Sequence, residues 1–239
     1  NEADFQLFDE FVPLPVLDRT PAIKAKERIG EAGIVRGAGF GFGQGSPWQD
    51  LSTIMMGTTN AIFAAMDEPD WMHHALTRLL EKKMKVFEQS GPIVLDLIET
   101  GGGGGSSTVI SPNLHREFCL PYDQKQHALI HELGAKIVYH LCGGLMPLLE
   151  TVAENGTDGL ETMTPPAMGG DCDLKKADER VGGKLFFIGG FDQNAGFEKG
   201  TVENVREQVF SLFAAKRHGG YICCPSDHFF FGEPDLIRA

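Results

Sequence analysis

The stretch KIVYHLCGGLMPLLETVAENGTDGLETM, residues 136–163, holds one full repeat of the architecture. KIVYHLC is a short apolar run, LMPLLETVAEN carries its apolar residues at helical spacing, and DGLETM begins a second short run. Short apolar strands separated by helices predict parallel pairing in a sheet buried on both faces. The same alternation extends in both directions. Upstream, a helix is expected from about Pro112 to Leu133, a strand in IVLDLIE (93–99), a long helix beginning at Pro69, and a strand at Ile34-Val35 running into GAGFGFGQG. Before that strand, Thr20-Pro21 opens a helix as N-cap and first-turn proline, and Gly33 closes it. Downstream come a short helix from Leu174 to Val181, a strand in KLFFIGG, a helix in VENVREQVFSLFAAK, a strand in GYICC, and a last helix from Asp235. Six strands are therefore expected, near Ile34, Ile93, Ile137, Gly159, Leu185 and Tyr221.

Composition narrows the choice. With 239 residues, 42% of them hydrophobic, residues 1–239 make one substantial domain, a size common among α/β barrels. A net charge of −12 argues against a partner bound mainly through phosphates, so nucleic acid is not expected. No run reaches the 18–20 or so apolar residues of a membrane span, and NEADFQLFDEF is unlike a signal peptide. A soluble, cytoplasmic protein is expected. Five cysteines, an odd and sparse number, suit a reducing compartment.

A doubly wound open sheet would share this alternation. No G-x-G-x-x-G follows the first strand, however, and no Walker motif occurs. A (β/α)8 barrel also gives a place to the chemistry-bearing residues that gather at strand ends: Asp96 and Glu99, His140 and Cys142, Glu161, Asp192, then Cys223, Cys224, Asp227 and His228. In such a barrel those ends meet at one mouth.

His140-Leu141-Cys142 is the sharpest signal, because residues two apart on a strand share a face. Cys223 and Cys224 lie 81 and 82 positions beyond Cys142 at another strand end. One imidazole and two thiolates suit Zn²⁺, with a fourth position open or filled by Glu99 or Glu161. The plainer alternative is that these thiols are small buried hydrophobes and His140 a bonded core histidine. Several other features weigh less. His127 and His131 have zincin spacing without the glutamate and are expected on a solvated face. His73-His74 are expected at the surface, Gly101 to Gly105 as a flexible loop over the mouth, Phe229-Phe230-Phe231 as packing, and Cys119 and Cys172 without partners.

IVLDLIETGGGGGSSTVISPNLHREFCLPYDQK resembles a segment of the uroporphyrinogen decarboxylase superfamily in which strand, acidic loop and a helix ending F-A-L-P-Y follow one another, here Phe118 to Tyr122. Ser46-Pro47-Trp48 resembles that family's A-P-W loop, and HGGYICCPSDH its last strand and following histidine, which assigns His228 a catalytic place. The resemblance covers nearly the whole chain. It implies a (β/α)8 barrel of which about the first two strands lie outside this sequence. The superfamily's decarboxylases act without metal on a tetrapyrrole and use a tyrosine shortly after the A-P-W loop, where Thr53 stands here. Its cobamide-dependent methyltransferases carry H-x-C at one strand end and a distant cysteine near the last, as His140, Cys142 and Cys223 or Cys224 do.

The resemblance to the methyltransferase branch implies a zinc enzyme that moves a methyl group between a corrinoid and a thiol or small methylated substrate. Its implied partners are a corrinoid protein or free methylcobamide, and a homodimer is compatible with it. Glu99, Glu161 and, with less weight, Asp192 are then a fourth ligand or proton-handling carboxylates, or else rim residues that cap loops. Metal-free decarboxylation of a tetrapyrrole is the alternative activity.

Overall fold

The computed structural model describes residues 2–38, 45–228 and 231–238. Among them six strands form one sheet: β1 (Arg36–Ala38), β2 (Leu97–Gly101), β3 (Lys136–His140), β4 (Gly159–Thr162), β5 (Phe186–Phe191) and β6 (Tyr221–Pro225). Their order in the sheet is their order in the chain, and every pairing is parallel. Helices fill the crossovers, so the sheet curls as six consecutive units of a (β/α)8 barrel, the fold expected. Among the described residues, no helix is long and apolar enough to cross a membrane.

The helix layer packs on one face of the sheet. Ile98 and Ile137 join Phe87 and Ile130 there, and Tyr139, Leu160 and Phe187 join Leu148, Leu149 and Leu174. Along each strand the alternate residues face inward, and Leu97, Val138 and Ile188 meet in a small apolar cluster. The site lies one step further along the strands.

Boundaries differ from expectation at three places. The strand expected near Ile34 begins at Arg36, and the one expected near Ile93 begins at Leu97. Ile93 instead donates its N–H to Leu133 O and packs beside Leu129, so residues 93–95 form the approach to the sheet. Asp96 consequently sits at the entrance of β2, where it accepts from Val35 N at 2.8 Å and pairs with Lys26. It belongs to the opposite end of the sheet from the mouth. The helix expected over 112–133 is two, Pro112–Phe118 and Leu120–Glu132. The break falls at Cys119, beside Pro121, which has no N–H to continue the ladder. The Pro69–Ser90 and Leu174–Val181 helices lie where the sequence puts them.

Candidate functional site

Four strands supply the site. Glu99 follows Leu97 on the inner face of β2, His140 follows Val138 on β3, Glu161 follows Gly159 on β4, and Cys224 follows Ile222 on β6. The ligand atoms of Glu99, His140 and Glu161 lie within 4.8 Å of one another, a spacing that one cation can span. They line a cavity of about 270 Å³ with Arg36, Ile188, Cys224 and, at its rim, Asp227 and His228.

The residues form one charged network. His140 Nδ1 donates to Glu161 Oε1 at 2.7 Å and lies 3.4 Å from Glu99 Oε1. Arg36 Nη1 donates to Glu161 Oε2 at 2.5 Å, while its Nη2 reaches Glu161 Oε1 at 3.0 Å and Glu99 Oε2 at 2.5 Å. Glu161 is the most enclosed, its side chain 5% exposed. Burial raises its pKa, but the bond from His140 and the charge of Arg36 outweigh burial, and the group stays below its usual range. Burial likewise opposes protonation of His140; the bonds to Cys142 and Glu161 override it and raise the imidazole to about 10. Burial, with the Glu161 charge behind it, pushes the Cys224 thiol up.

Cys142 hydrogen-bonds His140 but stands outside the 4.8 Å group, as does Cys224. Its sulfur rests against Gly103, where a Cβ would stand 2.6 Å from Sγ. The adjacent cysteines of β6 diverge. Cys224 packs with the inner apolar cluster and lines the cavity, whereas Cys223 hydrogen-bonds Tyr221, whose ring belongs to the helix-side core. His228 lines the rim and is exposed. Asp192 lies elsewhere: its Oδ1 accepts from Ala195 N at 2.9 Å and so caps the turn after β5.

The glycine run is packed, which corrects the expectation of a free loop. Gly102 donates to His140 O, Trp48 Nε1 donates to Gly104 O at 2.8 Å, Gly104 N donates to Gln49 Oε1 at 2.8 Å, and His115 Nδ1 meets Gly105 O at 2.7 Å. Ser46-Pro47-Trp48 thus braces the loop against which Cys142 lies. Ser46 and Tyr139 in turn both donate to Asp123, a buried carboxyl that burial raises to about 6. Immediately after Glu161 the chain passes through the left-handed region at two non-glycine residues, Thr162 (φ 72°) and Met163 (φ 46°).

His127 is another correction. It is 1% exposed rather than solvated, with Nδ1 against Asn155 O and Nε2 against Thr100 Oγ1, both at 2.8 Å. That helix packs a polar side onto the sheet, and the imidazole satisfies buried backbone there. His131 does face outward, paired with Asp158. His74 is exposed as expected, but His73 stacks on Phe118 and bonds Tyr122. Cys119 and Cys172 are buried free thiols. Phe229 and Phe230 lie outside the described residues, and Phe231 is exposed.

Sequence reasoning missed Arg36. A signal was present: a lone charge between Val35 and Gly37, in a run that reads as strand, calls for an acid to meet it.

The family model for uroporphyrinogen decarboxylase (URO-D) matches residues 37–232. No curated protein matches the chain. Among solved structures, a methyltransferase from Methanosarcina mazei superposes with a TM-score of 0.66 at 20% identity, over 91% of this chain and 63% of that one. The chain therefore spans less than two thirds of that protein's length, and the likeness is one of fold.

Proposed function

The chain belongs to the uroporphyrinogen decarboxylase family, and within it we propose a zinc-dependent methyltransferase that moves a methyl group between a corrinoid and a thiol or small methylated substrate. The donor set carries this reading: two carboxylates and an imidazole within 4.8 Å, with one thiol bonded to that imidazole and another in the same cavity. Mixed nitrogen, oxygen and sulfur donors suit zinc. His140, Glu161 and Glu99 would hold the ion, with Cys142 and Cys224 as the thiolate donors. Bound there, zinc supplies Lewis acidity that lowers a substrate thiol's pKa or polarises a methyl donor.

The protein's own residues do the rest. Glu161 Oε1 meets the imidazole at Nδ1 and so fixes the orientation of its ring. Leu97, Val138 and Ile188 make an apolar floor beneath the polar residues. His228 and Asp227 border the opening, where a small substrate and the corrinoid, free or carried by a partner protein, would meet. The fold neighbour's own description as a methyltransferase supports the reading.

The test is metal content by plasma emission spectrometry on protein purified without chelator or nickel, alongside methylcobalamin turnover with thiol acceptors followed by absorbance. The expected result is about one zinc per chain, lost in His140→Ala and strongly reduced in Cys142→Ser, with turnover lost in parallel. A parent that carries no metal and cannot be reconstituted overturns the reading and leaves tetrapyrrole decarboxylation to be assayed.

A further inference from the structure

The guanidinium of Arg36 holds carboxylate oxygens that a divalent ion would need. Glu161 presents both of its oxygens to Arg36, Oε2 at 2.5 Å and Oε1 at 3.0 Å, and Glu99 presents Oε2 at 2.5 Å. These are the carboxylates of the only Glu–His–Glu cluster found among the described residues. A cation bound to them would sit against a fixed positive charge, and the two repel strongly in a partly buried cavity. Arg36 is the least enclosed member of the network, its side chain 37% exposed against 12% for Glu99 and 5% for Glu161. It has room to leave, whereas the acids do not.

We propose that Arg36 is an internal counter-cation that offsets one of the two carboxylate charges in the metal-free protein, beside His140, and swings away when the ion binds. This rests on the zinc reading above. Without Arg36, the two acids would face each other with only His140 between them; with it, a second basic group spans both acids before metal arrives. The ion then competes with a tethered guanidinium, so Arg36 sets the threshold of metal affinity and discriminates against weakly bound cations. Once displaced, it stands at the cavity wall as a free positive group.

Two measurements on chelator-stripped protein test this. Zinc affinity is read by competition with a chromogenic chelator for the parent, Arg36→Gln and Arg36→Lys, with circular dichroism confirming that the variants fold. Arg36→Gln is expected to bind zinc about tenfold tighter or more, the scale on which groups behind metal ligands act, with Arg36→Lys in between. In the parent, phenylglyoxal modification of Arg36, read by peptide mass spectrometry, is expected to speed up when zinc is added. Equal or weaker binding by Arg36→Gln, or unchanged or slower modification in the parent, overturns the proposal; weaker binding would make Arg36 a support of the loaded site. If no protein binds zinc, or His140→Ala binds it as the parent does, the underlying metal reading fails and this one with it.

Discussion

Cys223 and Cys224 are chemically identical neighbours whose fates the strand's alternation separates. Cys224 looks into the cavity beside Glu161, and Cys223 looks toward Tyr221 and the helices. Cys224→Ser is therefore expected to weaken zinc binding by more than about tenfold, while Cys223→Ser leaves it within about twofold; a chelator competition titration reads both. The converse result would place the thiolate donor on the wrong face of β6. Residues of this kind were legible in the sequence, because Glu99, His140, Cys142 and Glu161 each lie in or just after a short apolar run and carry ligand chemistry. Which cysteine faced inward was not legible, since a one-residue uncertainty in the start of β6 reverses its faces. Arg36 was hidden for another reason. Its partner Glu161 is 125 positions away, and only closure of the sheet brings them together.

At the scale of elements, helix limits were set by local signals and strand limits by pairing. The Leu174–Val181 helix starts where the Asp173 side chain accepts from Lys176 N, a cap readable in sequence. β2 begins at Leu97 because its partner β1 begins at Arg36, a fact of register that no local run contains. The same helix holds β6 in place through Asp178, which takes Lys216 at 2.9 Å, His218 at 2.8 Å and the backbone N–H of Arg217 and His218. Asp178 and Lys216 are both almost wholly buried, with Lys216 also 4.4 Å from the Phe187 ring centroid. Breaking a pair of this kind costs about 3 kcal/mol, so Asp178→Asn is expected to lower Tm by several degrees. Burial works against ionisation of Asp178, but its partners prevail and depress its pKa from 3.8 to about 2. A carboxylate depressed by folding stabilises above its unfolded pKa, and that stabilisation is lost as pH falls through the folded one. The Tm gap between parent and Asp178→Asn is thus expected to be full at pH 5 and to narrow toward pH 2. A gap that stays constant with pH would remove the ionised carboxylate from the explanation.

The whole sheet is unevenly protected. β4 is buried throughout and β5 nearly so, whereas β1 and β6 are partly or mostly exposed and each pairs with a single neighbour among the described strands. Hydrogen exchange read by mass spectrometry is expected to be slowest in β3 to β5 and to begin at β1 and β6, because opening the edges exposes little apolar surface. Fast exchange in β4 would contradict the packing described. The site straddles this gradient: His140 and Glu161 stand on the firm centre, Arg36 and Cys224 on the yielding edges. The strand order has a further consequence, for synthesis. Because each strand pairs with the next one in the chain, a growing polypeptide never has to wait for a distant segment before adding to its sheet. Each described strand after β1 follows its pairing partner in the chain, so Cys224 reaches a cavity whose Glu99, His140 and Glu161 are synthesised before it.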